Sequence, residues 1–401
     1  MNINSERAKA IDAYIATHSD AEMGKWPLEI GGQKMISPFY RFPIKELLCY
    51  NVTNGRLAMD VREWEKFNSR KLDATTEEDS KIIRQMLLSL NKNETSLLKE
   101  DIHKKNQMEP GVITHDGFVI NGNRRMAILE ELNREEPTGK WSFLEAVRLP
   151  STITEKDVWK IEAGLQLSKD KIAEYHPVNE LLKIKQGIDA KLSIEEITAA
   201  MYGRTTDEIK ESLDRLQLID NFLEFFGQPG NYGLIRTFGL HEYFIDVQKN
   251  VMTKWDRRGL ASRERKEELI SAFALIGAGI RIQSPKTGEG KDKGITHWDI
   301  RKLGKIFADM DAKEAYTQNL KKSSKKPLTV NAATLIEDFR TAEDILGMKE
   351  QRDQPVRLIE KAINSLESID RTNKHFHEIR VKNAIDRLSS IVQEIKKDLN
   401  G

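Results

Sequence analysis

Apolar residues recur every three or four positions along most of the chain and alternate with polar ones only in short stretches. Residues 5–17 read as a short helix. Between Glu77 and Leu90, the side chains Ile82, Ile83, Met86, Leu87 and Leu90 share one face of a second helix. The segment 110–132, PGVITHDGFVINGNRRMAILEEL, changes period twice. Val112 to Thr114 and Phe118 to Ile120 read as strands joined by a tight turn at His115-Asp116-Gly117, where Asp-Gly favours positive φ. Asn121 to Asn123 is a glycine-centred turn. A helix is predicted from Arg124, with Met126, Ile128, Leu129 and Leu132 facing inward. Residues 146–149 predict another short strand.

From about Pro177 the pattern is helical to the end of the chain. Ser193 is placed to cap one helix and Thr206 the next, with a turn at Tyr202-Gly203-Arg204 between them. Helix, short glycine turn, helix is the helix-turn-helix pattern. Residues 284–294 (SPKTGEGKDKG) have no apolar side chain and read as a mobile loop, and residues 321–327 form a second polar break. Val381, Ile385, Leu388, Val392, Ile395 and Leu399 follow a heptad seam, which predicts a helical hairpin or short coiled coil. The expected fold is an α+β N-terminal domain with a small mixed sheet, followed by an all-α region. The expected divisions are a helical extension (1–34), an α+β domain (35–175), a helix-turn-helix segment (176–225), a helical domain (226–345) and the C-terminal hairpin (346–401).

Composition narrows the function. The 401 residues carry 64 Lys plus Arg against 63 Asp plus Glu, a net charge of +1. This balance excludes nucleic-acid or lipid binding driven by bulk charge but leaves room for local basic sites. A single cysteine, Cys49, excludes an internal disulfide framework and a cysteine-based zinc cluster. No apolar run is long enough to span a membrane and the first twenty residues lack a signal-peptide core, so a cytoplasmic protein without a membrane partner is expected.

A strand, a glycine turn and a helix start place unsatisfied N–H groups at a helix N-terminus, which attracts phosphate. Arg124 and Arg125 in the first turn are placed either to add charge-assisted contacts or to be simply solvated or salt-bridged arginines. The run Asp116-Gly117-Phe118-Val119-Ile120-Asn121-Gly122-Asn123-Arg124-Arg125-Met126-Ala127 resembles the Gly-x-Arg-Arg box of the ParB/sulfiredoxin-like superfamily. Residues 42–56 (FPIKELLCYNVTNGR) resemble the first box of that family, ending at Arg56. Glu162-Ala163-Gly164-Leu165-Gln166 loosely resembles its Glu-Asn-x-Gln-Arg box, and residues 175–219 the following helical segment.

The resemblance covers about residues 35–225. It implies a nucleotide site for CTP or ATP, with Mg²⁺ possible, built from Gly122, Asn123, Arg124, Arg125, Arg56 and Gln166. Glu162 is its one candidate for metal binding or catalysis, although a solvated helix position is the competing reading. Gln166 is either a ligand contact or a structural amide, and Arg56 either a phosphate contact or a turn cap. The chain departs from the family pattern at Asn123, Ala163 and Leu167, and no cysteine lies in the turn, which separates it from the sulfiredoxin branch. The implied protein is a homodimer in which nucleotide controls protomer clamping or DNA binding, with slow hydrolysis if any. A nucleotide hydrolase or nuclease acting on foreign DNA, a small-molecule kinase and a non-catalytic scaffold are the alternatives.

The candidate recognition helix weakens DNA binding. Asp207, Glu208, Glu211 and Asp214 outnumber Lys210 and Arg215, whereas a groove-docking helix needs positive charge and donors. Arg204 in the turn, Arg257 and Arg258 in the run KWDRRGLASRERK, Lys183, Lys185 and Lys191, and the lysines of 321–326 are the basic candidates for DNA or phosphate contact.

Overall fold

The computed structural model describes residues 4–30, 33–53, 55–166, 176–201, 203–283, 294–323 and 327–400. The polar segment 284–293 and residues 324–326, including two of the clustered lysines, lie outside them.

Six strands form one mixed sheet: β1 (Glu22–Ile30), β2 (Gln33–Pro43), β3 (Cys49–Tyr50), β4 (Gly111–Ile113), β5 (Phe118–Asn121) and β6 (Phe143–Arg148). The order is β1-β2-β6-β4-β5-β3. Residues 22–30, assigned above to a helical extension, instead pair as a strand with β2, in register from Lys25↔Pro38 to Ile30↔Gln33. Alternation explains this: Trp26 and Leu28 point to one apolar cluster while Lys25 is exposed on the other side. β4 runs parallel to β6, and β3 runs parallel to β5 with Cys49 opposite Phe118 and Tyr50 opposite Val119. Parallel neighbours release their exit loops at the same sheet edge. The loops after β3 and β5 therefore lie side by side.

Six helices precede or cover one face: α1 (Ser5–Thr17), α2 (Ile44–Leu47), α3 (Ala58–Asn68), α4 (Glu77–Ser89), α5 (Lys92–Lys105) and α6 (Asn123–Glu135). The main core holds Phe42, Ile113, Val119, Leu144 and Ala146 of the sheet against Ile83, Leu87, Met126, Ile128 and Leu132 of the helices. The opposite face packs Leu28, Val112, Ile120 and Val147 on Ile161 of α7 (Glu155–Gln166).

Beyond the sheet, α8 (Pro177–Asp189), α9 (Ile194–Ala200) and α10 (Thr206–Phe225) share a cluster with α7 built on Trp159, Ile184, Ile197 and Ile209. Gly187 lets α7 and α8 meet closely, because a Cβ there would stand 2.9 Å from the Trp159 ring. Ser193 caps α9 in a reciprocal box with Glu196. The cap of α10 is Thr205 rather than Thr206: its side chain accepts from Glu208 N while Glu208 reaches back. Then follow α11 (Tyr232–Thr237), α12 (His241–Asn250), α13 (Ser262–Gln283), α14 (His297–Ile306), α15 (Met310–Lys322), α16 (Ala332–Glu367) and α17 (Ile379–Asn400). Two compact units result: residues 1–304 with 319–336, and residues 305–318 with 337–401. In the second, Phe307, Tyr316 and Phe339 are buried together, and Lys349 bridges Asp309 and Asp311. No described helix is long and apolar enough to cross a membrane.

Gly117 is the tightest glycine of the β4–β5 turn. Its φ is +88°, and a Cβ would stand 2.3 Å from the Leu47 carbonyl oxygen. Gly117→Ala is expected to cost about 2–4 kcal/mol. Gly139→Ala, at similar φ but with nothing near the new Cβ, should cost only about 1–2 kcal/mol. Urea melts of the two variants measure the difference, and equal midpoints would contradict it.

His241 opens α12 with burial as the main cause, and Arg215 and His176 nearby, holding its imidazole down at about 4 against an ordinary 6.5. The unfolded chain therefore binds the proton first, so stability is lost as pH falls from 6.5 toward 4. The loss at pH 5 is on the order of 1–2 kcal/mol. His241→Gln should flatten the stability profile across that window, as read by denaturation at stepped pH.

Candidate functional site

The parallel pair β3–β5 carries the candidate residues to one edge. Gly122, at φ +109°, ends β5 and opens α6 in the left-handed region that glycine enters at least cost. The helix begins at Asn123, one residue earlier than the pattern predicts, directly after the end of β5. Asn123 is buried and structural: its amide donates to Val119 O at 2.6 Å and its oxygen accepts from Asn51 N at 2.9 Å. That second bond ties the α6 turn to the loop after β3.

The two arginines take different partners. Arg124 pairs with Glu94 of α5 at 3.1 Å. Arg125 turns back to donate to the Glu109 carbonyl, and burial pushes its guanidinium below the usual arginine range. Neither is a solvated surface arginine.

The other side of the β3 loop is held from below. Glu162 is 2% exposed. One oxygen accepts from Gly55 N at 3.0 Å and the other meets Lys183 Nζ at 2.5 Å. This corrects two expectations: Glu162 is not a solvated helix residue, and Lys183, itself 1% exposed, does not reach out to phosphate. Burial lowers the Lys183 ammonium pKa although Glu162 opposes that shift. Trp159 shields the pair: Lys183 Nζ lies 5.5 Å from its ring centre, and its indole donates to Lys183 O at 2.9 Å. Asn179, one turn earlier on α8, accepts from Met59 N at 3.2 Å and donates to Arg56 O at 3.0 Å. Arg56 is thereby fixed at its backbone beside Gly55, its side chain half-buried. Gln166 closes α7, and its side chain lies outside the described residues.

The structure thus places Gly122, Asn123, Arg124 and Arg125 at the start of α6 and ties that turn, through Asn123 and Asn51, to the loop after β3, which leads to Arg56 and, at Gly55, to Glu162. It adds Asn51, Asn179 and Glu94, which the sequence did not single out, and gives Lys183 a buried partner in place of the phosphate contact expected of it. The spacing of Asn179 and Lys183, one helical turn apart on a predicted helix, is the one signal that marked them as facing the same way. Among the described residues no group of three or more His, Cys, Asp or Glu side chains is arranged to hold a metal ion. A separate cavity of about 870 Å³ runs between α4 and α6, lined by Tyr50, Arg84, Glu130 and Arg134 among others. There Tyr50 donates to Glu130, and burial raises the phenol well above its ordinary pKa.

Three of the basic DNA candidates are paired within the chain. Arg204 pairs with Glu180 at 2.5 Å, and Lys185 with Asp189 at 2.6 Å. Arg258 makes a two-pronged contact with the buried Glu268, at 2.6 and 3.0 Å. Arg257 is exposed. Along α10, Asp207, Glu208, Glu211, Asp214 and Glu224 are exposed while Lys210 is bonded to Asp207.

No protein-family model, curated protein or solved structure matches the chain.

Removing one member of a buried ion pair strands the other. Lys183→Met alone should cost about 3–5 kcal/mol, and adding Glu162→Gln should recover more than half of it. Urea denaturation of the single and double variants tests this. A single variant as stable as the double would contradict the pairing.

Proposed function

We propose that the chain binds a nucleoside triphosphate, CTP or ATP, by its phosphates at the first turn of α6. The observation that carries this reading is the left-handed Gly122, which opens α6 at the sheet edge with Arg124, Arg125 and the 51–57 loop around it. Helix N-termini attract phosphate through their unsatisfied N–H groups and dipole. The resemblance of this stretch to the ParB/sulfiredoxin-like superfamily supports the same site. The positive residues for the phosphates are Arg124, released from Glu94, and Arg56; Arg125 holds the turn to the Glu109 carbonyl.

Binding rather than rapid hydrolysis fits the residues. Glu162 is engaged with Gly55 and Lys183, so both of its oxygens are occupied in place of activating water or ligating Mg²⁺. Nucleotide binding acts in this reading on the 51–57 loop and so on the clamping of two protomers. The acidic outer face of α10 favours clamping over sequence reading of DNA by that helix.

Calorimetric titration with CTP, ATP and GTP, with and without Mg²⁺, tests the proposal. Arg124→Ala with Arg125→Ala should weaken the preferred nucleotide at least tenfold, about 1.4 kcal/mol. Glu94→Gln should tighten it by removing the carboxylate that competes with phosphate for Arg124. Unchanged affinity in the double variant would refute the site.

A further inference from the structure

The cavity between α4 and α6 is built around three polar side chains, Tyr50, Glu130 and Arg84. Tyr50 donates to Glu130 Oε2, and Arg84 Nη1 lies 3.6 Å from the same oxygen. Among the described residues, these side-chain groups meet one another and no backbone atom. They differ in this from Glu162 and Asn123, which hold a loop through its N–H groups. Tyr50 is buried, and that burial raises its phenol well above the ordinary value, so it keeps its proton as a donor. Polar groups withdrawn from water without holding the fold are costly, and a few such groups converging in a cavity are what fix a ligand's orientation.

The rest of the lining sets the size and charge of what fits. Ile44, Leu48, Met126 and Trp141 give the cavity buried apolar walls. Its volume of about 870 Å³ lies within the span of small-molecule sites, about 300–1,000 Å³. Arg84 has donors to offer, because a guanidinium carries five N–H groups and only Nη1 approaches Glu130. Asn133 Oδ1 accepts from Ser142 Oγ at 3.1 Å, which leaves its N–H groups for another acceptor. Arg7 is different: its guanidinium donates to Asp116 O, Leu47 O and Cys49 Sγ. The exposed charges of the lining are Lys45, Lys81 and Arg134 against Glu46 and Glu77, with Glu77 matched by Lys81 at 2.8 Å. Donors and positive charge therefore outweigh acceptors around the opening.

We propose that this cavity binds a small organic anion, a carboxylate or phosphate monoester on an apolar body, with its charged end on Arg84 and Asn133 and its body against Met126 and Trp141. A planar guanidinium matches either oxyanion in a two-pronged contact, and apolar walls that exclude water strengthen the attraction. An organic cation fits less well, because Glu130, the one half-buried carboxylate of the lining, already accepts from Tyr50 and faces Arg84. None of Gly122 to Arg125 lines the cavity, so the site does not rest on nucleotide binding at the α6 turn.

Calorimetric titration of the full chain with phenylacetate, phenyl phosphate and the neutral benzyl alcohol is the test. An anion should bind at one site per chain, the tighter of the two identifying the charged end, and benzyl alcohol should bind at least tenfold more weakly. Arg84→Gln should weaken the anion at least tenfold, and Glu130→Gln should tighten it by removing the carboxylate that competes for Arg84. Lys45→Gln with Lys81→Gln changes only exposed side chains and should weaken binding severalfold, which keeps the test decisive if Arg84→Gln fails to fold. Arg124→Ala with Arg125→Ala should leave the affinity unchanged. The proposal is overturned if neither anion binds, if benzyl alcohol binds as tightly, if a folded Arg84→Gln or the lysine pair binds like the wild type, if Glu130→Gln weakens binding, or if the Arg124 and Arg125 variant abolishes it.

Discussion

One buried carboxylate organises the region between the sheet and the helices that follow it. Glu162 sits on α7, which packs its apolar side under the sheet. Its oxygens reach Gly55 on the β3 loop and Lys183 on α8. Two charges removed from water are tolerated only when each finds the other and further hydrogen bonds complete the shell. Here the Gly55 N–H completes it, with Trp159 as a wall. That requirement restricts where the loop can lie relative to α7 and α8. Asn179 repeats the constraint one turn away, at Met59 and Arg56. The loop is pinned from the other side by Asn123, so its position relative to α6 is set by backbone bonds at both ends.

This arrangement explains why the arginine turn is shaped as it is. Asn123 fills the place beneath the turn with an amide that satisfies Val119 and Asn51 at once. An acidic side chain there would have only acceptors and would lose the donation to Val119. The departure at this position therefore has a structural rationale. The arginines are held rather than free to wander, Arg124 by Glu94 and Arg125 by the Glu109 carbonyl.

Much of the fold was legible in the residues themselves. The β4–β5 turn at Gly117, the Gly122 turn, the start of α8 at Pro177 and the heptad of α17 follow from local chemistry: positive φ, a missing N–H, or a fixed apolar period. The strand at 22–30 was not, because Met23 and Pro27 interrupt the polar side of its alternation. The cap at Thr205 was misplaced by one residue because Thr205 and Thr206 are chemically equivalent on paper; only the return bond from Glu208 separates them. The Glu162–Lys183 pair was beyond reach. A charge 21 residues from its partner reads as solvated unless the packing of α7 on α8 is known, and Gly187, which permits that packing, carries no signal of its own.

The central claim is that the buried Glu162 network and Asn123 hold a loop and a helix N-terminus together as a phosphate-binding edge. A crystal structure of the full chain grown with CTP or ATP and Mg²⁺ tests it most directly. The account predicts phosphate density against the first-turn N–H groups of α6, between Arg124 and the 51–57 loop, with the Glu162–Lys183 pair intact. Nucleotide bound instead in the cavity between α4 and α6, or none bound at saturating concentration, would contradict it.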